Sequence, residues 1–309
     1  MRLVVLAYQE IGYVCLESLI RRGADVSLVL SHRDDEDEEI WFRSVAKLAG
    51  DHGIPIQFPE DPNVPQVIEQ VRAVDPDFIF SFYYRHMLSE QFLGLARMGA
   101  YNLHGSLLPR YRGRAPVNWV LVNGETETGV TLHRMVKRPD AGAIAAQTRV
   151  PVSETDTVSD LYAKMVRAAG ELVFDAWPDL ASGRIVEQPQ DESLANYYGR
   201  RGPADGKINW RDSGRKIYNL IRAVTHPYPG AFAQGDKGRL FIWSAGYDET
   251  AADQSPGTVM PLESANGNVQ PVACGQGRLL IKAAQWENQK ECQGPDLTEL
   301  GLEPGMRLK

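Results

Sequence analysis

Two polar residues, Asn102 and His104, lie two positions apart at the end of a predicted strand. Side chains at this spacing in an extended chain point to the same side, so an amide and an imidazole would converge on one point. The amide can donate a hydrogen bond to a developing oxyanion, and the imidazole can move a proton. A carboxylate that orients the imidazole would complete a set for acyl transfer, and Asp140, between two strand patterns, could supply it.

Structural roles are the alternative for the same residues. A histidine at a strand end commonly makes only a hydrogen bond, and Asn102 and Asp140 could both be ordinary turn residues. Motifs for other chemistries are missing: there is no G-x-G-x-x-G after the first strand, no G-x-x-x-x-G-K-[ST], no G-x-S-x-G and no zinc-ligand pattern. The sequence therefore gives no ground for NAD binding, ATP hydrolysis, a serine nucleophile or a metal site.

Short apolar strands that alternate with helical patterns must position these residues. Strand patterns cover 3–8, 26–30, 78–82 and 100–103, and helical patterns cover 11–22 and 64–74, the second with Asn63 as its cap. This alternation predicts an α/β fold: a Rossmann-like, mostly parallel sheet with helices on both faces. Ligands bind beyond the carboxyl ends of such strands, here just after Phe82 and Leu103. One further helical face is expected to contain Trp41, Phe42, Val45, Leu48 and Ala49.

The second half of the chain changes in pattern. Thr157 and Asp160 have capping-box spacing and open a helix that Pro178 is expected to end, and one more helical pattern covers 213–223. Short strand patterns follow at 239–244, 257–260, 272–274 and 278–283. We expect a catalytic domain over 1–188, a linker over 189–203 and a smaller β-rich domain, an OB-like barrel, over 204–309.

Bulk composition is that of a globular enzyme, with 309 residues, 43% of them hydrophobic, and a formal net charge of -7. The negative charge disfavours broad neutralisation of phosphates, so nucleic acid is not an expected partner. No apolar run reaches the ~18 residues of a membrane helix and the start is too short for a signal peptide, so we expect a cytoplasmic protein. Cys15, Cys274 and Cys292 lack metal-ligand spacing and indicate thiols in a reducing compartment. The acidic stretch 34–39 is interpreted as a solvated loop.

The segment around the candidate residues resembles the signature of the 10-formyltetrahydrofolate transformylases. It reads Asn-x-His-x-Ser-Leu-Leu-Pro from Asn102, then Tyr-Arg-Gly at 111–113 and Asp-x-Gly from Asp140. This superfamily includes methionyl-tRNA formyltransferase, glycinamide ribonucleotide formyltransferase, formyltetrahydrofolate hydrolase and the sugar N-formyltransferases. Matches to the tRNA and sugar branches at 123–130, 205–210, 221–223 and 229–231 extend the resemblance over nearly the whole chain. The resemblance implies 10-formyltetrahydrofolate as co-substrate, and Asn102, His104 and Asp140 as catalytic residues.

Details of the motifs are most similar to the sugar branch. Gly105 follows the histidine where the tRNA and purine enzymes usually have Pro, and 138–142 reads Arg-Pro-Asp-Ala-Gly instead of the Gly-Leu-Asp-Thr-Gly typical of tRNA enzymes. Segments 83–86, 112–119 and 131–136 closely resemble the formyltransferase domain of the UDP-4-amino-4-deoxy-L-arabinose enzyme of lipid A modification, which is linked to polymyxin resistance. In that family the domain is commonly fused to a decarboxylating dehydrogenase, so we expect either an excised domain or a free-standing form.

The alternative functions are methionyl-tRNA formyltransferase, another sugar-nucleotide N-formyltransferase, and a non-catalytic folate or nucleotide sensor. The tRNA enzyme would need a basic face on the second domain, where Asp205 and Asp212 interrupt the positive charges. A sensor would not need Asn102, His104 and Asp140 together.

The resemblance also implies a folate site beside the catalytic residues. Arg110, Arg112 and Arg114 either form a solvated loop or contact folate carboxylates or sugar-nucleotide phosphates. His133 is interpreted as a packing residue, and His32, His52 and His226 as structural or surface residues. Asp140 is expected to push the pKa of His104 above its usual value of about 6.5. The expected folate-lining residues are His86, Met87, Leu88, Arg114, Met135, Val136, Lys137, Arg138, Pro139 and Asp140.

Overall fold

The computed structural model describes residues 1–34, 40–251, 253–264 and 268–309. The chain divides into two compact units. Met1–Pro116, Glu127–Pro151 and Tyr162–Gly199 form the first, and Val117–Thr126, Val152–Leu161 and Arg200–Lys309 form the second. Most of the acidic stretch interpreted as a solvated loop, 35–39, lies outside the described residues.

A mixed sheet lies at the centre of the first unit. In chain order, the strands described in this unit are β1 (Arg2–Ala7), β2 (Asp25–Leu30), β3 (Ile56–Gln57), β4 (Phe78–Phe82), β5 (Gly99–His104), β6 (Arg112–Gly113), β7 (Glu127–Arg134), β8 (Ile144–Pro151) and β9 (Tyr197–Tyr198). Seven of them form a sheet of order β3-β2-β1-β4-β5-β7-β8. The pairings from β3 to β5 are parallel, and those of β7 with β5 and β8 are antiparallel.

Continuous apolar runs account for the central strands. Every residue of β4 and all but the first residue of β1 are buried, as expected for strands covered on both faces. The strands predicted at 3–8, 26–30, 78–82 and 100–103 are confirmed, each within one residue at either end. The predicted α/β fold class is thereby confirmed.

The helices described are α1 (Gln9–Arg21), α2 (Val45–Asp51), α3 (Pro65–Val74), α4 (Glu90–Leu93), α5 (Pro116–Val122), α6 (Val158–Ala181) and α7 (Gly214–Val224). The capping box of α6 is confirmed, since Thr157 N donates to Asp160 Oδ2 at 2.9 Å and Asp160 N to Thr157 Oγ1 at 3.3 Å. Pro178, however, lies inside α6. Because proline has no N–H, it cannot donate to the carbonyl oxygen of Phe174 one turn earlier. That oxygen accepts a hydrogen bond from Arg22 Nε at 2.7 Å instead, and the helix continues.

Two other helix predictions are wrong in detail. Asn63 does not cap α3; its amide donates to Met87 O at 2.9 Å and accepts from Ser89 N at 2.7 Å, so tertiary contacts outcompete the cap. The helix expected to begin at Trp41 begins only at Val45. Ser44 is its N-cap, because the Ser44 hydroxyl accepts a hydrogen bond from Lys47 N.

The second unit is β-rich. Its described strands are β10 (Ala231–Gly235), β11 (Gly238–Asp248), β12 (Gln270–Ala273), β13 (Arg278–Trp286) and β14 (Cys292–Gln293). They pair antiparallel in the order β10-β11-β13-β12, with β14 on β13. This confirms a smaller β-rich domain, while closure into a barrel stays a prediction. The predicted strand at 257–260 forms only isolated bridges through Thr258 and Val259, and β10 was not predicted.

The stretch predicted as a linker, 189–203, contains local structure. Its strand β9 pairs in parallel with β6, with Tyr197 opposite Arg112 and Tyr198 opposite Gly113. This pairing holds the stretch against the loop that follows β5.

Candidate active site

Strand β5 positions the first two candidate residues. It ends at His104, and its antiparallel neighbour β7 places His133 opposite Asn102 and Thr131 opposite His104. Because residues two apart on each strand face the same way, these four polar side chains share one face of the sheet at the end of β5. Asn102 is half-buried and His104 is buried.

The loop between β7 and β8 brings Asp140 to the same point. Its Oδ2 accepts a hydrogen bond from Gly113 N at 2.8 Å. Its Oδ1 lies 3.6 Å from His104 Nδ1 and 3.5 Å from His133 Nε2. Asn102 Nδ2 is in turn 3.1 Å from His133 Nε2. The structure therefore brings Asn102, His104 and Asp140 together, with His133 between the first and the last.

The protonation of His104 follows from its contacts. Its Nε2 lies 2.7 Å from the carbonyl oxygen of Tyr111, which can only accept, so Nε2 carries the hydrogen and the lone pair of the neutral ring is on Nδ1, facing Asp140. Burial lowers the pKa of His104, and although Asp140 acts to raise it, the net pKa lies below the usual value. The expectation of a raised pKa is thus wrong, because desolvation outweighs the nearby charge.

Asp140 shows the opposite balance. Burial acts to raise its pKa, but the neighbouring rings of His104 and His133 and the N–H of Gly113 outweigh burial and hold the pKa well below its usual range. The carboxylate is therefore ionised at neutral pH while His104 beside it is neutral.

His133 belongs to the site, and sequence reasoning missed it. The residue is buried, as a packing residue would be, but both ring nitrogens have polar partners: Nε2 faces Asn102 and Nδ1 lies 3.0 Å from Arg134 O. Arg134 O can only accept, so Nδ1 carries the hydrogen and Nε2 accepts from the Asn102 amide. This bond fixes the direction of the amide.

Tight backbone contacts hold the Asp-x-Gly segment in place. A Cβ at Gly142 would collide with the carbonyl oxygen of Arg134, so only glycine permits the loop to lie this close to β7. Gly113 has φ +98° and packs against the carbonyl of Tyr198, so glycine also positions the N–H that binds Asp140.

Strained backbone is concentrated around this edge of the sheet. Five non-glycine residues in the segments that follow strands have left-handed φ values: Gln9 (+59°), Tyr83 (+55°), Tyr111 (+59°), Ala115 (+51°) and Asp140 (+54°). Such conformations are uncommon for residues with a Cβ and cluster at functional sites.

The expected folate-lining residues differ in exposure and contacts. Met87 and Val136 are exposed apolar residues, 58% and 41% accessible, whereas Leu88 and Met135 pack against a hydrophobic cluster of the first unit. The ring of His86 lies 5.0 Å from that of His32. Of the remaining expected residues, Asp140 is half-buried, and Arg114, Lys137, Arg138 and Pro139 are exposed. Lys137 forms an ion pair with Glu90 at 3.2 Å, and Arg138 forms one with Glu192 at 2.9 Å.

The expected cluster of three arginines is only partly correct. Arg112 is fully buried, donates to Gln190 at 2.7 Å and forms an ion pair with Glu192 at 2.7 Å, so its guanidinium is not available to a ligand. Arg110 and Arg114 are exposed. Residues two apart in an extended chain point to the same side, but the chain turns here, since Tyr111 has a left-handed φ of +59°, and Arg112 alone points inward.

No helix in the described ranges is long and apolar enough to span a bilayer. The same part of the chain contains no group of three or more His, Cys, Asp or Glu side chains arranged to hold a metal ion. All three cysteines are buried free thiols.

Two parts of the chain match known families, and the whole resembles solved structures. The N-formyltransferase of Helicobacter canadensis, in complex with folinic acid and dTDP-3-aminofucose, is 19% identical with a TM-score of 0.66, covering 90% of this chain and 98% of that one. WlaRD, a sugar 3N-formyl transferase solved with dTDP and 5-N-formyl-THF, is 19% identical with a TM-score of 0.67, covering 94% and 99%. Glycinamide ribonucleotide transformylase 1 of Symbiobacterium toebii is 24% identical with a TM-score of 0.53, covering 62% and 94%. At these identities the similarity establishes the fold.

Matches to protein families establish more than the fold. Residues 23–176 match the formyl transferase family, and residues 201–299 match the C-terminal domain of formyl transferases. The two matched regions follow one another along the chain, the first before strand β9 and the second after it. The chain thus belongs to the formyl transferase family and is a formyl-transferring enzyme.

Proposed function

We propose that the enzyme transfers the formyl group of 10-formyltetrahydrofolate to the 4-amino group of UDP-4-amino-4-deoxy-L-arabinose in the cytoplasm. The product, UDP-4-deoxy-4-formamido-L-arabinose, would serve lipid A modification. The observation that carries this proposal is the convergence of Asn102, His104 and Asp140 at the end of β5. Two solved sugar N-formyltransferases of the same fold support an amino-sugar acceptor, and the motifs at 83–86, 112–119 and 131–136 support the arabinose.

His104 handles the proton. The neutral amine of the sugar attacks the formyl carbon, the new C–N bond forms, and the bond from that carbon to the folate nitrogen breaks. The amine must lose a proton and the folate nitrogen must gain one. The lone pair on His104 Nδ1 accepts the first, and the imidazolium that forms lies 3.6 Å from the Asp140 carboxylate, which stabilises it until the proton passes on.

Asn102 supplies the hydrogen bond to the oxyanion. One N–H of its amide is directed to His133 Nε2 at 3.1 Å, and the second N–H of the same nitrogen can donate to the formyl oxygen as negative charge develops. A preorganised donor of this kind contributes roughly 3 kcal/mol to transition-state stabilisation.

The surroundings suit a folate. The exposed side chains of Met87 and Val136 offer apolar contact to its rings. Arg114 is exposed and has no ion pair with any carboxylate in the described ranges, so it can bind a glutamate carboxylate of the folate. The ion pairs of Lys137 and Arg138 are at the surface and cost little to open.

Formyl transfer measured by mass spectrometry tests the proposal. The wild-type enzyme is incubated with 10-formyltetrahydrofolate and, in separate reactions, UDP-4-amino-arabinose, a dTDP-amino sugar or methionyl initiator tRNA. We expect the first acceptor to have the highest kcat/KM. His104→Ala should lower turnover at least about 10²-fold with folate binding retained, while His52→Ala, at an exposed histidine, should leave it unchanged. Preferential formylation of the tRNA, or near-normal turnover in His104→Ala, would contradict the proposal.

A further inference from the structure

The segment 190–198, within the stretch expected to be a linker, contacts the groups that support His104 and Asp140. The support of His104 is the carbonyl oxygen of Tyr111, which lies 2.7 Å from its Nε2. The support of Asp140 is the N–H of Gly113, which donates to its Oδ2 at 2.8 Å. Both supports belong to one short loop after β5, and the segment pairs with that loop through β9.

Asn196 fixes the peptide unit that contains the first support. Its backbone oxygen accepts from Arg112 N at 3.1 Å, and its Oδ1 accepts from Tyr111 N at 2.5 Å. The carbonyl of Tyr111 and the N–H of Arg112 belong to the same planar trans peptide unit and point in opposite directions. Asn196 and His104 therefore bind opposite sides of one peptide unit. If this carbonyl turned away, His104 would lose the partner that keeps the hydrogen on Nε2 and the lone pair on Nδ1.

Gln190 holds the loop that contains Asp140. Its Nε2 donates to the carbonyl oxygens of Asp140 and Gly142, at 2.8 and 2.7 Å, so both hydrogens of the amide are used. Its Oε1 accepts from Nε and Nη2 of Arg112, at 3.1 and 2.7 Å. Because a guanidinium can only donate, the amide has one orientation here, with its oxygen toward Arg112 and its nitrogen toward the two carbonyls. One side chain thus connects the loop after β5 with the loop after β7.

Arg112 fastens the segment in place. Its side chain is fully buried, and each of its five N–H groups donates to an acceptor on the segment. Besides the two bonds to Gln190, these are two bonds to the Glu192 carboxylate, at 3.1 and 2.7 Å, and one to Tyr197 Oη at 3.0 Å. Loss of any of these partners would leave a buried charged donor unsatisfied, which is costly. The segment is therefore held at a defined place beside the site.

We propose that Gln190 and Asn196 are positioning residues for formyl transfer. Asn196 acts through the Tyr111 carbonyl and sets the tautomer of His104. Gln190 acts through the backbone of Asp140 and sets the distance from its carboxylate to His104. This assignment rests on the proposed function for the roles of His104 and Asp140.

Replacement of Gln190 by Met keeps the length of the side chain and removes its four hydrogen bonds. We expect kcat to fall about tenfold or more, with KM for both substrates within about twofold of the wild type. The acidic limb of the pH–rate profile should move to lower pH, since a more distant Asp140 raises the pKa of His104 less. Gln188→Met, at an exposed glutamine two residues earlier, is the matched control and should behave as the wild type does. Circular dichroism spectra establish that each variant is folded.

Combination with Asp140→Asn separates positioning from a general contribution to stability. If Gln190 acts through the Asp140 carboxylate, Gln190→Met should cost less than about twofold in kcat once that charge is removed. Losses that multiply in the double variant would overturn the assignment of Gln190. A kcat within about twofold of the wild type in Gln190→Met alone would overturn it too.

A matched pair of variants tests Asn196. Asn196→Ala removes the acceptor of Tyr111 N and should lower kcat about fivefold or more, whereas Asn196→Asp keeps an oxygen there and should stay within about twofold of the wild type. Heteronuclear NMR of protein with isotope-labelled histidine nitrogens reports which ring nitrogen of His104 carries the hydrogen, and His104→Gln identifies its signals. We expect the hydrogen on Nε2 in the wild type and in Asn196→Asp, and a mixture of tautomers in Asn196→Ala. An unchanged tautomer in Asn196→Ala would overturn the role of Asn196.

The same spectra separate failure of this assignment from failure of the proposed function. If His104→Gln and Asp140→Asn form product at the wild-type rate, the proposed mechanism is wrong. A changed tautomer in Asn196→Ala and a lowered pKa of His104 in Gln190→Met would then uphold the positioning of the pair and refute only its catalytic use. Unchanged signals in both variants would overturn the positioning as well.

Discussion

Replacement of Asp140 by Asn tests the proton-transfer step most directly. The variant keeps the shape of the side chain and an oxygen for the 2.8 Å hydrogen bond from Gly113 N, but it removes the negative charge. In the native enzyme that charge lies 3.6 Å from His104 Nδ1. At an effective dielectric constant of about 20, two unit charges at this distance attract each other by about 4–5 kcal/mol. The amide dipole recovers part of this energy, so we expect kcat to fall about 10²- to 10³-fold.

The pH dependence of single-turnover rates gives a second readout. In the proposed mechanism neutral His104 is the active form, so the rate should rise with pH through the pKa of His104 and then level off. The anion of Asp140 favours the imidazolium, and its removal must lower this pKa further. The acidic limb of the profile should therefore move to lower pH in Asp140→Asn, with KM for folate unchanged. A kcat within about threefold of the wild type, or a limb that moves to higher pH, would refute the reasoning.

Three further results are expected. His133→Phe removes the acceptor that directs the Asn102 amide in the proposed mechanism and should lower kcat about tenfold or more at unchanged folate affinity. An unaltered kcat would make the residue a packing residue only. Gly142→Ala should destabilise the fold by about 1–3 kcal/mol in urea unfolding, because the new methyl group meets a backbone carbonyl. Gly50→Ala, in open space on α2, should be neutral or stabilising. Equal effects of the two substitutions would contradict the close approach of Gly142 to β7. Burial holds the pKa of His104 below its unfolded value of about 6.5, so its contribution to stability is present above about pH 6.5 and is lost as the pH falls through the lowered pKa. Urea unfolding at successive pH values should show a smaller acid loss in His104→Gln, although His32, with its pKa lowered to about 4, keeps part of it.

The parts of the fold that depend on local pattern could be predicted from the sequence. Buried strands such as β4 are continuous apolar runs, and the capping box before α6 involves residues only three positions apart. The errors arise where a distant residue decides. Pro178 stays inside its helix because Arg22, far away in the chain, binds the carbonyl that it leaves over. Strand β10 is defined by its pairing with β11, and its own sequence indicates little.

The candidate site shows the same difference between what local sequence pattern predicts and what distant residues decide. Asn102 and His104 are two apart on one strand, so period two alone predicts that they converge, and the Asp-x-Gly motif adds Asp140. His133 enters through the register of an antiparallel pair, which places it opposite Asn102, and no spacing within the chain encodes that register. The inward direction of Arg112 likewise depends on the carboxylate and amide it meets some eighty residues later.

The lowered pKa of His104 shows that a charged neighbour alone does not decide whether a histidine can accept a proton. A carboxylate at 3.6 Å, taken by itself, would make the imidazole a stronger base and charge it at neutral pH, and a charged ring could not accept a proton from the amine. Burial reverses that outcome and leaves the ring neutral beside an ionised Asp140. In the proposed mechanism the carboxylate then has little effect on the resting state and acts when the imidazolium forms. Its stabilisation is greatest in the transition state, which is where stabilisation raises kcat.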